Sequence, residues 1–255
     1  MIIDVNTFYG HWPFRNVPCQ SIEEISASAE QNQIDAMIIS STNAIFYQDH
    51  FEGDEELAAV LPENAYQALT IDPSQPYFDD DIRLGMEKFR VKAVRIHPEY
   101  HNYSLTDPCV TRLFDVLYEY NLPLLVTNIM EDPRALHMLP QKPLKADEFA
   151  SMIQRNKKIP VVLTNAGFGD WRDYKALVQE YGTVHYDTSG IKAGLFNVIE
   201  NIIEKLGIPA TQILYGSHFP FYCRESTLNY FTMDPVAEDI KNLILHENAQ
   251  RIFHI

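Results

Sequence analysis

Two histidines close short apolar runs in this chain: His218 in Tyr215-Gly216-Ser217-His218-Phe219-Pro220 and His97 in Arg95-Ile96-His97-Pro98. Imidazole titrates near neutral pH, so it can act as general base, general acid or metal ligand. Other apolar runs end on Asn6, on Ser40 and Ser41, and on Asp72, Asn128, Asn165 and Asp187. Carboxamides placed there can donate hydrogen to a developing oxyanion. Arg15 or Arg95 can grip a carboxylate through two parallel N–H bonds. Tyr100, His101, Tyr103 and Tyr222 would add acids and walls. Each residue also has a plainer use: a histidine closes a strand end, a strand-end Asn caps a turn, and Asp72-Pro73 reads as turn chemistry.

What unites these residues is their place at the ends of strand-like segments. Runs at Ile2–Val5, Ala36–Ile39, Tyr66–Ile71, Ala93–Ile96, Pro123–Val126, Pro160–Leu163, Val184–Asp187 and Gln212–Tyr215 are short, apolar and bounded by turn residues. Helical patterns lie between them, for instance after Ser21, whose spacing to Glu24 is that of a capping box. Asp107 and Pro108 open another helix as N-cap and first-turn proline. The region from Pro235 to Phe253 also reads as helical. Alternation of this kind predicts parallel strands joined by helical crossovers. Eight units in ~250 residues predict a single-domain TIM (β/α)8 barrel over residues 1–255. A doubly wound open sheet is the runner-up, but no Gly-x-Gly-x-x-Gly or P-loop supports nucleotide binding. In a barrel, all these strand ends face one pocket.

The bulk properties narrow the partners. A chain of 255 residues with 46% hydrophobic residues can bury a large core. A net charge of −15 argues against nucleic acid and anionic membrane surfaces. No apolar run approaches the ~20 residues that span a bilayer. Cys19, Cys109 and Cys223 are isolated, which fits a reducing, cytoplasmic setting rather than a disulfide framework. A small-molecule substrate is the expected partner, and a homo-oligomer is compatible with the sequence.

Several motifs, in order, resemble the amidohydrolase-2 branch of the amidohydrolase superfamily. They are Ile3-Asp4-Val5-Asn6, Arg95-Ile96-His97-Pro98, Asp187-Thr188-Ser189-Gly190, Tyr215 to Pro220, and Glu247-Asn248-Ala249-Gln250-Arg251-Ile252-Phe253. The resemblance runs along nearly the whole chain and implies a metal-dependent hydrolase or decarboxylase on a distorted TIM barrel. The ligand positions that it implies are altered here. The family's His-x-His falls on Asn6 and Phe8, and its fifth-strand histidine falls near Thr127 or Asn128. The sixth-strand histidine falls on Asn165, and the eighth-strand aspartate on His218. Phe8 cannot ligate zinc, and carboxamides are weak donors beside imidazoles.

The expectation is therefore a hydrolase or lyase without the standard metal and without another cofactor, acting on a small carboxylated ester, lactone or amide. His218 is expected as general base, with His97, Asn6 and Asn165 also catalytic. Arg15, Arg95, Tyr100, His101, Asn128, Asp187 and Tyr222 are expected to contact substrate. If one zinc ion binds, His97, His218 and Asp187 are the expected donors. The alternative is a catalytically silent barrel that binds a small molecule or a protein partner, with Phe8, Tyr9, Trp12, Phe14, Phe219 and Tyr222 packed around its mouth.

Overall fold

The eight apolar runs become eight parallel strands: β1 (Ile3–Tyr9), β2 (Ala36–Ser41), β3 (Ala65–Thr70), β4 (Val91–Ile96), β5 (Leu124–Thr127), β6 (Val161–Thr164), β7 (Val184–Asp187) and β8 (Ile213–Leu214). The computed structural model describes residues 1–135, 142–155, 158–191 and 197–255. Strand order follows chain order. The ring is closed by Val5 N donating to Tyr215 O at 3.1 Å and Phe8 N to Phe219 O at 2.8 Å. The result is a TIM barrel, as the alternating pattern predicts. β8 is shorter than expected, because Gln212 belongs to a preceding helical turn and pairing ends before Gly216, where an added Cβ would lie 2.4 Å from the Asp187 carboxylate. Only glycine permits that approach.

Strand residues are buried on both faces, which is why they read as continuous apolar runs. One face points outward beneath the helices, where Val94 and Ile96 join the larger apolar cluster. The other points inward. Ala93, Leu125, Val162 and Leu214 pack with Ile252 and Phe253 inside the N-terminal end of the barrel. Side chains alternate along a strand, so Arg95, Thr127 and Thr164 form the next inward layer, nearer the C-terminal mouth. The fold thus sends Arg95 to the barrel axis.

The helices are α1 (Ile22–Gln31), α2 (Asn43–Phe46), α3 (His50–Val60), α4 (Phe78–Lys88), α5 (Pro98–His101), α6 (Pro108–Tyr120), α7 (Ala146–Arg155), α8 (Phe168–Glu180), α9 (Val198–Glu204), α10 (Arg224–Met233), α11 (Glu238–Asn242) and α12 (Asn248–Phe253). The Ser21–Glu24 capping box forms on α1. At α6, Asp107 occupies the N-cap position, but its carboxylate accepts from Ser104 N at 3.0 Å and makes no cap bond. Asp49 caps α3 by accepting from Phe51 N. A wide turn at Leu243–Glu247 links α11 to α12 in the helical C-terminal segment. Between β7 and β8 the helix α9 covers Val198–Glu204, and residues 192–196 lie outside the described residues. So do His137 and Pro140 of the proline-bearing loop. Among the described residues no helix is long and apolar enough to cross a membrane.

Candidate functional site

At the C-terminal mouth, Asn6, Asn165, Asp187 and His218 converge on one hydrogen-bonded network. Asn6 Nδ2 donates to Asp187 Oδ2 at 2.7 Å and lies 3.2 Å from His218 Nδ1. Asp187 also accepts from Asn165 N at 2.9 Å and from the Ser189 hydroxyl at 2.8 Å. Burial pushes the Asp187 carboxyl up to about 6, against the pull of these donors and of Arg95. Asn165 and His218 both hold left-handed backbone, at φ +55° and +57°. Such angles are uncommon outside glycine and cluster where a fold aims a side chain at a site.

His218 is fully buried, and its Nε2 lies 2.6 Å from the carbonyl of Met130. A carbonyl only accepts, so Nε2 carries the proton and Nδ1 accepts from Asn6. Burial draws its pKa down to about 3. This histidine is neutral, and its lone pair is engaged. His97 is equally buried, yet neither ring nitrogen has a hydrogen-bond partner. Burial, followed by the nearby Arg95 cation, holds it well below the ordinary imidazole range. A neutral His97 therefore offers one unused lone pair and one unused N–H.

The Arg95 guanidinium lies 4.6 Å over the ring of Phe8. Its Nη1 makes only long bonds to Thr127 Oγ1 and Thr164 Oγ1, at 3.5 and 3.4 Å. Nε and Nη2 are buried without partners. Burial draws Arg95 down to about 9, while Asp187 and Asp4 act to keep it charged.

The other expected residues lie at the edge of this centre or away from it. Asn128 touches the centre through the Asn165 carbonyl, at 3.4 Å, and otherwise ties loops together, donating to Asp170 Oδ2 and accepting from Leu144 N. Arg15, partly exposed, is paired with Glu131. His101 instead approaches His50, with ring centres 4.7 Å apart. Tyr222 does reach the centre, accepting from Asn165 Nδ2 at 3.4 Å, with its ring 5.1 Å from His218. Tyr100 belongs to the aromatic cap of Phe8, Trp12, Phe14 and Phe221 that closes the mouth. Beneath this cap remains a void of about 10 Å³ beside His97, Thr127 and Met130, room for about one water molecule.

The donors expected for zinc are corrected by the structure. His97, His218 and Asp187 do not bring ligand atoms together. Among the described residues the group with three donor atoms within 4.8 Å of one another is His50, Asp72 and His101. At the barrel centre the Phe8 ring packs against His218 and the Arg95 guanidinium lies over it, so a cation and an aromatic ring occupy the space among the strand ends. The His50 cluster left little trace in the sequence. Asp72 does the turn chemistry expected of it, accepting from Ser74 N and Oγ. Nothing near His50 linked that residue to a distant aspartate.

A second missed feature is the fully buried pair of Asp4 and Arg224, joined at 3.1 Å. Asp4 also accepts from Ser217 N and Oγ, at 2.9 and 2.6 Å, one residue before His218.

With that geometry in hand, comparison with solved structures is informative about fold. A 5-carboxyvanillate decarboxylase from Novosphingobium aromaticivorans, complexed with manganese and 4-hydroxy-3-methoxy-5-nitrobenzoic acid, is similar over 100% of this chain and 96% of its own, with TM-score 0.71 and 13% identity. A 2,6-dihydroxybenzoate decarboxylase from Rhizobium matches over 99% and 98%, with TM-score 0.71 and 14% identity. A probable 2-pyrone-4,6-dicarboxylic acid hydrolase from Acinetobacter baumannii, with citric acid bound, matches over 100% and 99%, with TM-score 0.66 and 11% identity. No curated protein matches this sequence. The family model described as Amidohydrolase matches residues 55–255, and the chain belongs to that family.

Proposed function

We propose that the barrel centre acts on a small carboxylated ester, lactone or amide as a hydrolase that needs no metal at the barrel axis. The observation that carries this reading is Arg95, a buried cation with Nε and Nη2 unpaired. A buried donor without a partner costs free energy, and a carboxylate would satisfy both N–H groups bidentately. The solved relatives support the choice, since their names denote carboxylated ring compounds.

His97 is the proton acceptor in this reading, because its lone pair is free and that of His218 is held by Asn6. The role expected of His218 from the sequence becomes that of an N–H donor. His218 Nε2 and Asn165 Nδ2 donate to the carbonyls of Met130 and Ile129, both at 2.6 Å. In this reading a substrate carbonyl oxygen takes the place of these two backbone oxygens. When Ile129 and Met130 are displaced, two converging donors face the oxyanion that forms as water attacks. His97 takes the proton from that water and returns it to the leaving oxygen or nitrogen. The same groups would serve a decarboxylating lyase, with His97 giving its N–H proton to the carbon as the carbon–carboxylate bond breaks and CO₂ leaves.

The test is a screen of lactones and carboxylated esters and amides with chelator present. Turnover is expected for wild type, with His97→Gln lowering kcat about 10² to 10⁴-fold and Arg95→Met raising KM. Activity equal in His97→Gln would overturn the assignment. The closed aromatic cap favours a second reading, a silent barrel that binds a carboxylate. It predicts binding that needs Arg95, with no turnover of any compound.

A further inference from the structure

Away from the barrel axis, we propose that His50, Asp72 and His101 form a binding site for a divalent first-row transition ion of the zinc, manganese or iron(II) class. A ring nitrogen from each histidine and a carboxylate oxygen lie within 4.8 Å of one another. In four-coordinate zinc sites with bonds near 2.1 Å, donors are about 3.4 Å apart. His50 Nε2 and Asp72 Oδ2 are 3.8 Å apart and all three donors lie within 4.8 Å, so metal binding draws them inward by up to about 1.4 Å.

His50 and Asp72 stand within ion-pair distance of each other, and each ligand is also oriented by its own hydrogen bonds. His50 donates Nδ1–H to the carbonyl of Ala44 at 2.5 Å, which leaves Nε2 as the free donor. His101 donates Nε2–H to the carbonyl of Ile45 at 3.1 Å. Its Nδ1 is buried without any partner. Metal-bound histidines characteristically fix their tautomer by donating the other N–H to a carbonyl or carboxylate. Asp72 is oriented in the same manner, with Oδ1 taken by Ser74 and Oδ2 left with only a 3.4 Å contact from Gln75. Both orienting carbonyls belong to the short helix α2. Gly53 lets α3 press against α2, since a Cβ there would lie 2.4 Å from Ala44 N. That contact sets the distance from His50 to the carbonyl that orients it.

Two imidazoles and one carboxylate suit zinc and the non-haem iron and manganese class, whereas calcium and magnesium prefer oxygen alone. Three protein donors leave at least one position open. His50 forms part of the wall of a cleft of about 920 Å³ that Tyr77, Gln75 and Asp81 also line, so water and a ligand have access. The site uses none of the positions at the barrel axis, where Phe8 and Arg95 are stacked.

The probe is Co²⁺, titrated into metal-stripped full-length protein and followed by visible d–d absorption and by calorimetry. About one equivalent should bind, raising the Tm of wild type. His50→Gln, Asp72→Asn and His101→Gln should each weaken binding at least 10-fold, while His97→Gln leaves it unchanged. Circular dichroism establishes which variants are folded, and any one folded ligand variant suffices. Wild type without a cobalt spectrum would overturn the proposal. So would folded ligand variants that bind Co²⁺ as wild type does, or binding that is lost only in His97→Gln.

Discussion

Arg95 and Phe8 are stacked at the centre of the barrel, the guanidinium 4.6 Å over the ring centroid. A cation over an aromatic face gains about 2 kcal/mol when both are desolvated. That gain does not satisfy the two unpaired N–H groups, so Arg95 is held at a cost that carboxylate binding would offset. Arg95→Met removes a buried charge and keeps much of the volume. Replacing buried charge by an apolar side chain of similar size is commonly neutral or stabilising. The expected outcome is a Tm equal to or above wild type together with at least 100-fold weaker binding of carboxylated ligands. Calorimetry and thermal melts on the same preparation check it; a large drop in Tm would show that Arg95 is structural.

Asp4 and Arg224 behave oppositely. Asp4 accepts from Arg224, Thr7 and Ser217, all without solvent. Arg224 Nη2 also reaches Thr7 and its Nη1 the carbonyl of Ile25. Truncating one member of a buried pair strands the other charge, at about 3–5 kcal/mol. Arg224→Met is therefore predicted to lower stability by that amount in urea unfolding. Adding Asp4→Asn should recover part of the loss, because the remaining group is then neutral. Additive losses in the double variant would refute the coupling.

The barrel was legible in the sequence because each strand is buried on both faces and so appears as an unbroken apolar run. Asn6, Asn165, Asp187 and His218, each at a strand end in the sequence, lie in contact at the C-terminal mouth. Tertiary partners were not legible. The tautomer of His218 is set by Met130, far along the chain, and the approach of His50 to Asp72 depends on how α3 packs on α2. Four-residue helices such as α2 and α5 are too short to show a period. α10 carries the buried Arg224, a charge on its inward face, which breaks the apolar stripe by which helices are recognised.

The aromatic cap offers a separate handle on access. Trp12 is buried with its ring 4.8 Å from Phe221 and 5.8 Å from Tyr100, both near edge-on. Removing a buried tryptophan side chain costs about 3–5 kcal/mol and leaves a cavity if neighbours do not collapse. Trp12→Ala should be destabilised by that amount and should bind carboxylated ligands faster, since the closed mouth no longer limits entry. Stopped-flow association rates report the second effect. A rate equal to wild type would mean that ligands enter by another route, such as the opening beside Tyr222 and Ser189.

His185 gives a prediction about acid sensitivity. On β7 it alternates with Tyr186, whose ring stacks on Trp171 at 4.7 Å beneath the helices, so His185 faces inward. It is 1% exposed with Nδ1 unpartnered. Burial, aided by the Arg251 cation, draws its pKa from 6.5 to about 3. Between those values the unfolded chain binds a proton that the native chain refuses. Stability must then fall as pH drops through this window, by about 1.4 kcal/mol per pH unit for each such histidine. His185→Leu removes one proton from that difference. Its urea-unfolding free energy should decline less steeply than wild type between pH 6 and about 4 by that increment. Parallel profiles for the two proteins would show that His185 takes up its proton in the folded state.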